Sequence, residues 1–98
     1  MIIPTTVRIC GLNYKVTMSE NLYLEQGIVG SQNHNTLEIL LQNHTIDKQK
    51  VTQTFFHEIL HAIDAHYLDG KLTEEQVCQI ANGFYQVLVD NDMLKGDI

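Results

Sequence analysis

The stretch Thr-Phe-Phe-His-Glu-Ile-Leu-His-Ala-Ile, residues 54–63, contains an H-E-x-x-H pattern formed by His57, Glu58 and His61. A helix turns by about 100° per residue, so imidazoles four residues apart project from one face and can bind the same metal ion. Glu58 lies beside that face, where its carboxylate can take a proton from a metal-bound water. The pattern predicts a helix with two metal ligands, His57 and His61, and a general base, Glu58.

The flanking residues favour a ligand helix over a coincidence. An H-E-x-x-H match arises by chance in roughly 1 to 2% of shuffled chains of this composition. Apolar residues recur along one flank of the predicted helix, and the histidines belong to a separate polar stripe. The apolar flank comprises Val51, Phe55, Phe56, Ile59, Leu60, Ile63 and Tyr67, and the polar stripe comprises Thr54, His57, His61 and Asp64. We expect the helix to bury its apolar flank and to direct both histidines elsewhere.

Strand patterns precede this helix. Turn residues 11–13 separate two segments rich in β-branched and aromatic residues, 6–10 and 14–18, which predicts a hairpin. Alternating apolar residues predict a half-buried strand over 36–42. Between these strands, the sequence favours a short helical turn at 20–26, followed by a turn or short strand from Gly27 to Gly30.

The ligand helix has start and stop signals. Thr45 or Asp47 can cap its first turn, and it is expected to run to about Tyr67. Gly70 then provides the residue type that commonly ends a helix.

A second helix is predicted from the capping box of Thr73 and Gln76, and it runs to about Asp90. The last residues, 91–98, are expected to be loosely held. An apolar stripe on this helix is expected to face the core and comprises Val77, Ile80, Ala81, Phe84 and Leu88.

These elements predict a single α+β domain over residues 1–98. In it, a small antiparallel or mixed sheet of the N-terminal strands packs on the ligand helix and the following helix. A hydrophobic fraction of 44% is sufficient for a modest core. The net charge is −6 and the six Lys plus Arg are scattered, which argues against nucleic-acid binding through a basic face.

The cysteines and the hydropathy pattern indicate a cytoplasmic protein. Cys10 and Cys78 are far apart in sequence and form neither a disulfide framework nor a C-x-x-C pair, as is typical of a reducing compartment. We see no secretory signal pattern and no apolar run of about 18 residues, so no membrane association is expected.

A catalytic zinc site usually needs a third protein ligand. Glu74 shares a helix face with Val77 and Ala81, so its carboxylate leans toward the surface that packs on the ligand helix. Glu75 aligns with a polar stripe, and either glutamate also suits a helix start without any metal. Cys78 is a competent ligand as a thiolate and would lie level with His61 in a tight helical hairpin. Glu74 is the preferred third ligand.

Two further residues near the motif are less suitable as ligands. His66 follows His57 by nine residues, a rotation of about 900° that places it on the far side of the helix. It is also one residue short of the third histidine in the longer metzincin pattern, and Asp64 occupies the position of that pattern's glycine. Asp64 lies one turn beyond His61, where it either orients a ring nitrogen or is a solvated charge.

Residues 51–92 resemble the small zincin-type metallopeptidases of bacterial and phage genomes. The likeness is carried by residues 54–63, by the acidic capping box and by the Ile-Ala-Asn-Gly-Phe-Tyr segment at 80–85. The segment is similar to gluzincins, in which a glutamate on a later helix is the third ligand. It is more distantly similar to the ImmA/IrrE group. The resemblance implies one Zn²⁺ per chain bound by His57, His61 and Glu74, with Glu58 as general base.

Three classes of function are consistent with these observations. The first is a zinc-dependent peptidase that acts on a peptide or protein. Its substrate would be restricted to one partner protein of a phage or mobile element. The second is a catalytically silent zincin-fold protein that binds metal and regulates a partner, and the third is an α+β domain with an accidental motif. A peptidase also needs an oxyanion donor, for which the sequence offers Tyr67, Tyr85, His34 and His44. The strand at 36–42 is expected to pair with an extended substrate at its edge.

Overall fold

A computed structural model describes residues 1–94, in which four short strands form a mixed sheet. The strand order is β1-β2-β4-β3; β2 and β4 are parallel, and the two outer pairs are antiparallel. The predicted N-terminal hairpin is confirmed, with Cys10 and Gly11 at positive φ in its turn. The strands are β1 Thr6–Ile9, β2 Leu12–Ser19, β3 Gly30–Asn33 and β4 Glu38–Gln42.

Three helices accompany the sheet: α1 Leu22–Gln26, α2 Lys48–Tyr67 and α3 Glu74–Asp90. Asp47, rather than Thr45, caps α2, because its side chain accepts a hydrogen bond from the Gln49 backbone N–H at 2.8 Å. Both halves of the Thr73 capping box are formed at the start of α3. Within residues 1–94, no helix combines the length and the apolar character needed to cross a membrane.

The core lies between one face of the sheet and α2. Tyr14 from β2 and alternate residues of β4, Ile39 and Leu41, are fully buried against Phe55 and Ala62 of α2. This alternation agrees with the half-buried strand predicted for this segment. The described residues therefore form a small α+β domain, as the sequence predicted.

The strand prediction for 36–42 is wrong at its start and in its proposed role. Leu37 has a φ of 58° and belongs to a turn, in which the Asn33 side chain accepts hydrogen bonds from the N–H groups of Asn35 and Thr36. β4 therefore begins at Glu38, and it is paired on both sides, with β2 and β3. An interior strand has no free edge, so β4 cannot pair with a substrate. The free edge on this side of the sheet belongs to β3.

The predicted core stripe of α3 is only partly buried. Val77 and Ala81 are buried against α2, but Ile80 is 49% exposed and Phe84 is 60% exposed. Among the described residues, α3 packs mainly on α2 and makes no extensive contact with the sheet. The expected loose tail, 91–98, lies outside the described residues from 95 onward.

Candidate metal centre

The structure brings together the three residues predicted to bind a metal. The Nε2 atoms of His57 and His61 are 3.1 Å apart. Each of them lies 2.9 Å from a different oxygen of Glu74, His57 from Oε1 and His61 from Oε2. Within residues 1–94, this is the only group of three or more His, Cys, Asp or Glu side chains compact enough to hold an ion.

The donor atoms have the chemistry of a divalent-metal site, and their spacing is close to the one that zinc requires. Zinc accepts imidazole nitrogen and carboxylate oxygen at about 2.0 to 2.1 Å, so two ligands of a tetrahedral ion lie about 3.3 Å apart. The separations here are 2.9 to 3.1 Å. Three protein ligands leave a fourth coordination position for water or substrate. The residues therefore fit one zinc ion, and the same donor set also accepts other divalent ions.

The connection between α2 and α3 determines where Glu74 lies. α2 ends at Tyr67, and residues 68–73 turn the chain so that the first residue of α3 faces the two histidines. The Asp64 side chain accepts a hydrogen bond from the Leu72 N–H at 3.1 Å, and its carbonyl accepts one from the Gly70 N–H at 3.0 Å. Asp64 is buried. Both sequence interpretations of Asp64 are therefore wrong, because the side chain is buried and its carboxylate stabilises the turn that positions Glu74.

Glu58 is a buried carboxyl group beside the cluster. Burial, and to a lesser degree the negative charge of Glu74, raise the pKa of Glu58 from 4.5 to about 7. A carboxyl group with such a pKa exchanges a proton readily near neutral pH, as a general base requires. The predicted base thus lies next to the predicted ligands.

Gly30 allows β3 to approach α2 closely, and the sequence did not identify this role. A Cβ atom at position 30 would lie 2.5 Å from Thr54 Cγ2 and 3.2 Å from Glu58 Oε2. Any larger residue would have to displace β3 or the Thr54 side chain, and it would also press on Glu58. The sequence signal was the pair Gly27 and Gly30, which indicated a turn or a short strand without indicating its neighbour.

A cleft of about 480 Å³ opens over these residues. Residues 27–30 form one side, and the opposite side is formed by α2 and α3. Gln53 and Asn82 also line it, and the Gln53 Nε2 donates to Asn82 Oδ1 at 2.8 Å, which links the two helices. Cys78 lines the cleft but is not part of the ligand cluster. Glu75 lies outside the cluster and accepts a hydrogen bond from the Gln79 side chain.

Other residues singled out from the sequence lie elsewhere. His66 faces away from the metal ligands, as predicted, and its Nε2 is 2.6 Å from the Tyr14 hydroxyl. Tyr85 packs on Phe56 with ring centroids 6.0 Å apart. Within residues 1–94, the cleft lining includes none of the four predicted oxyanion donors, His34, His44, Tyr67 and Tyr85.

Comparison with known proteins identifies no relative of this chain. No protein-family model, no curated protein and no solved structure matches the chain. The function has therefore to be inferred from the chemistry of the cleft.

Proposed function

We propose that the protein is a zinc-dependent peptidase with a minimal zincin-like fold. His57, His61 and Glu74 bind one Zn²⁺, and Glu58 is the general base. The observation that carries the proposal is the convergence of three ligand atoms, all within 4.8 Å of one another, beside a buried carboxyl group in an open cleft. A structural ion usually has a closed set of four ligands, whereas three ligands are typical of a catalytic site.

The chemistry follows from these groups. A bound zinc ion would acidify a water molecule and polarise the carbonyl of the scissile peptide bond. The Glu58 carboxylate takes a proton from the attacking water and passes it to the leaving amine. The burial of Glu58 beside the cluster places its carboxylate next to the proposed metal-bound water.

The edge of β3 provides a place for the substrate backbone. One side of β3 pairs with β4, and no strand formed by residues 1–94 pairs with its other side. An extended peptide can add to such an edge as a further strand. Because Gly30 lies against Glu58, a peptide paired there passes close to the general base.

A second function is favoured by the apolar surface between α2 and α3. A groove of about 260 Å³ is lined almost entirely by apolar atoms, and it includes the exposed Phe84 and Ile80. Exposed apolar patches often mark interaction surfaces. In this alternative, the metal stabilises α3 and the protein regulates a partner without hydrolysis.

Metal content and hydrolysis test the proposal. The purified chain should bind about one zinc ion, as measured by inductively coupled plasma mass spectrometry, and Glu74→Gln should bind less. Glu75→Gln is the matched control, because Glu75 occupies the same helical turn outside the cluster. Absence of zinc uptake by the wild-type chain would exclude both metal-dependent functions.

Glu58→Gln then distinguishes the two functions. The variant should keep its zinc and lose cleavage of a synthetic peptide mixture, because the proton acceptor is removed. A wild-type chain that binds zinc and cleaves no peptide would favour the regulatory alternative.

A further inference from the structure

Lys50 is the only Lys or Arg among the described residues that line the cleft. Its side chain is exposed, and within residues 1–94 the only ion pairs join Glu74 to the two histidines, so the Lys50 ammonium has no carboxylate partner there. The chain has only six Lys plus Arg against twelve Asp plus Glu. An unpaired cation in the cleft of an acidic protein is available to a ligand.

The distance between Lys50 and the proposed metal ligands corresponds to a definite number of residues in an extended peptide. Lys50 and His57 are seven residues apart, so their side chains project from the same face of α2, about 10 Å apart along the helix axis. An extended peptide advances about 3.3 Å per residue. A peptide that runs along the cleft therefore brings its third residue from the metal end level with Lys50.

The remaining charge of the cleft is concentrated at the metal end. Glu58 and Glu74 are the acidic lining residues, and both belong to the proposed metal machinery. Apart from Lys50 and these two glutamates, the described residues that line the cleft include no Lys, Arg, Asp or Glu, and Gln53 and Thr54, one helical turn from Lys50, are uncharged. A carboxylate is the ligand group that complements an unpaired ammonium in such surroundings.

We propose that Lys50 binds a carboxylate of the substrate about three residues from the cleaved bond. This inference rests on the proposed peptidase function and adds the substrate class. The carboxylate belongs either to an Asp or Glu side chain or to a free peptide C-terminus.

The direction of β3 determines the side of the cleaved bond. Gly30 at the start of β3 lies against Thr54 and Glu58, and His34, just beyond its end, has its ring 6.2 Å from the ring of His66. β3 and α2 therefore run in the same direction. Antiparallel pairing is the more stable arrangement of two strands, so we take the peptide to add antiparallel to β3. Such a peptide runs from the His61 end to the Lys50 end, and the recognised carboxylate then lies C-terminal to the cleaved bond.

The test uses the full chain loaded with Zn²⁺ and a synthetic mixture of random peptides, with cleavage sites identified by mass spectrometry. We expect Asp or Glu at the third position after the cleaved bond to raise kcat/KM roughly three- to fivefold over Asn or Gln, mainly through KM. A second set of peptides ends at that position with a free or an amidated C-terminus, which separates the two sources of the carboxylate.

Two substitutions of Lys50 decide the outcome. Lys50→Met should abolish the acidic preference, and Lys50→Glu should replace it with a preference for Lys or Arg. Lys48→Met is the control, since Lys48 is exposed and does not line this cleft. Zinc content of one ion per chain verifies that each variant is folded.

The two proposals fail differently. Cleavage without an acidic preference, or with a preference that persists in Lys50→Met, overturns the role of Lys50 and leaves the peptidase function intact. A zinc-loaded wild-type chain that cleaves none of the peptides overturns both.

Discussion

The sheet with α2 and the helix α3 differ in how they are packed, although α2 and α3 both contribute residues to the His57, His61 and Glu74 cluster. The sheet and α2 enclose large, fully buried side chains such as Tyr14 and Phe55. α3 buries only Val77 and Ala81 and leaves much of its apolar stripe exposed. His57 and His61 thus belong to a well-packed body, whereas Glu74 belongs to a thinly packed helix. The comparison indicates that polar contacts, namely the Gln53–Asn82 hydrogen bond and the contacts of Glu74 with the two histidines, supplement the sparse packing between α2 and α3.

The largest expected effect is on the free energy of unfolding, and it comes from comparing a Phe→Ala substitution in each of the two regions. Phe55→Ala should lower the free energy of unfolding by about 3 to 5 kcal/mol, because it leaves a cavity in the core. Phe84→Ala should change it by less than about 1 kcal/mol, since this ring is 60% exposed. Urea denaturation measures both. Equal losses of stability would show that α3 is packed as tightly as the sheet and α2.

Zinc should stabilise α3 more than the sheet. At a free zinc concentration 100 times the dissociation constant, binding adds about 2.7 kcal/mol to the stability of any state that must form to bind. We expect this gain in the hydrogen-exchange protection of α3, because Glu74 connects that helix to the α2 histidines. Glu74→Gln should lose most of the gain and Glu75→Gln should retain it. Protection that rises uniformly over both regions would contradict the comparison.

The buried carboxyl group of Glu58 in α2 should make the stability of the metal-free protein depend on pH. The folded pKa of Glu58 is about 7 and its ordinary value is 4.5, so the folded state retains the proton between these pH values. Stability should therefore fall as pH rises from about 4.5 to 7. In chelator, Glu58→Gln should be more stable than wild type by about 2 kcal/mol at pH 8, after discounting for partial solvation, and the difference should shrink at pH 5. Denaturation curves at the two pH values check this sign.

The smallest expected effect concerns the polar link between the helices. Gln53→Ala removes the 2.8 Å hydrogen bond to Asn82 and should destabilise α3 by about 0.5 to 1 kcal/mol. Gln86→Ala, which removes a bond within α3 to Asp90, is the control. Exchange rates of α3 amides should increase in the first variant and stay near wild type in the second.

Local patterns predicted the parts of the fold that depend on residues close in sequence. The hairpin, the Thr73 capping box and the face shared by His57 and His61 are each decided within a few residues, and Asp47 was one of the two residues, with Thr45, that the sequence offered as the cap of α2. Glu74 was preferred over Glu75 by its helix face, and the structure places Glu74, not Glu75, beside the histidines. Here local geometry was sufficient.

The remaining features depend on tertiary contacts that no short window contains. The Gly-Ser-Gln-Asn segment of β3 has little strand propensity, and it is extended because it pairs with β4 and packs on α2. Asp64 became a turn residue because the chain reverses beside it. The apolar stripe of α3 predicted burial, but among the described residues it has only α2 as an extensive neighbour.

The hydrogen bonds of Asp64 have a consequence for metal affinity. A ligand on a free segment would lose conformational entropy when it closes on the ion. Because Asp64 fixes the turn at residues 70–72, much of that entropy is already lost when the chain folds, before any ion arrives. The affinity of the proposed metal site would therefore depend partly on preorganisation by a carboxylate outside the His57, His61 and Glu74 cluster.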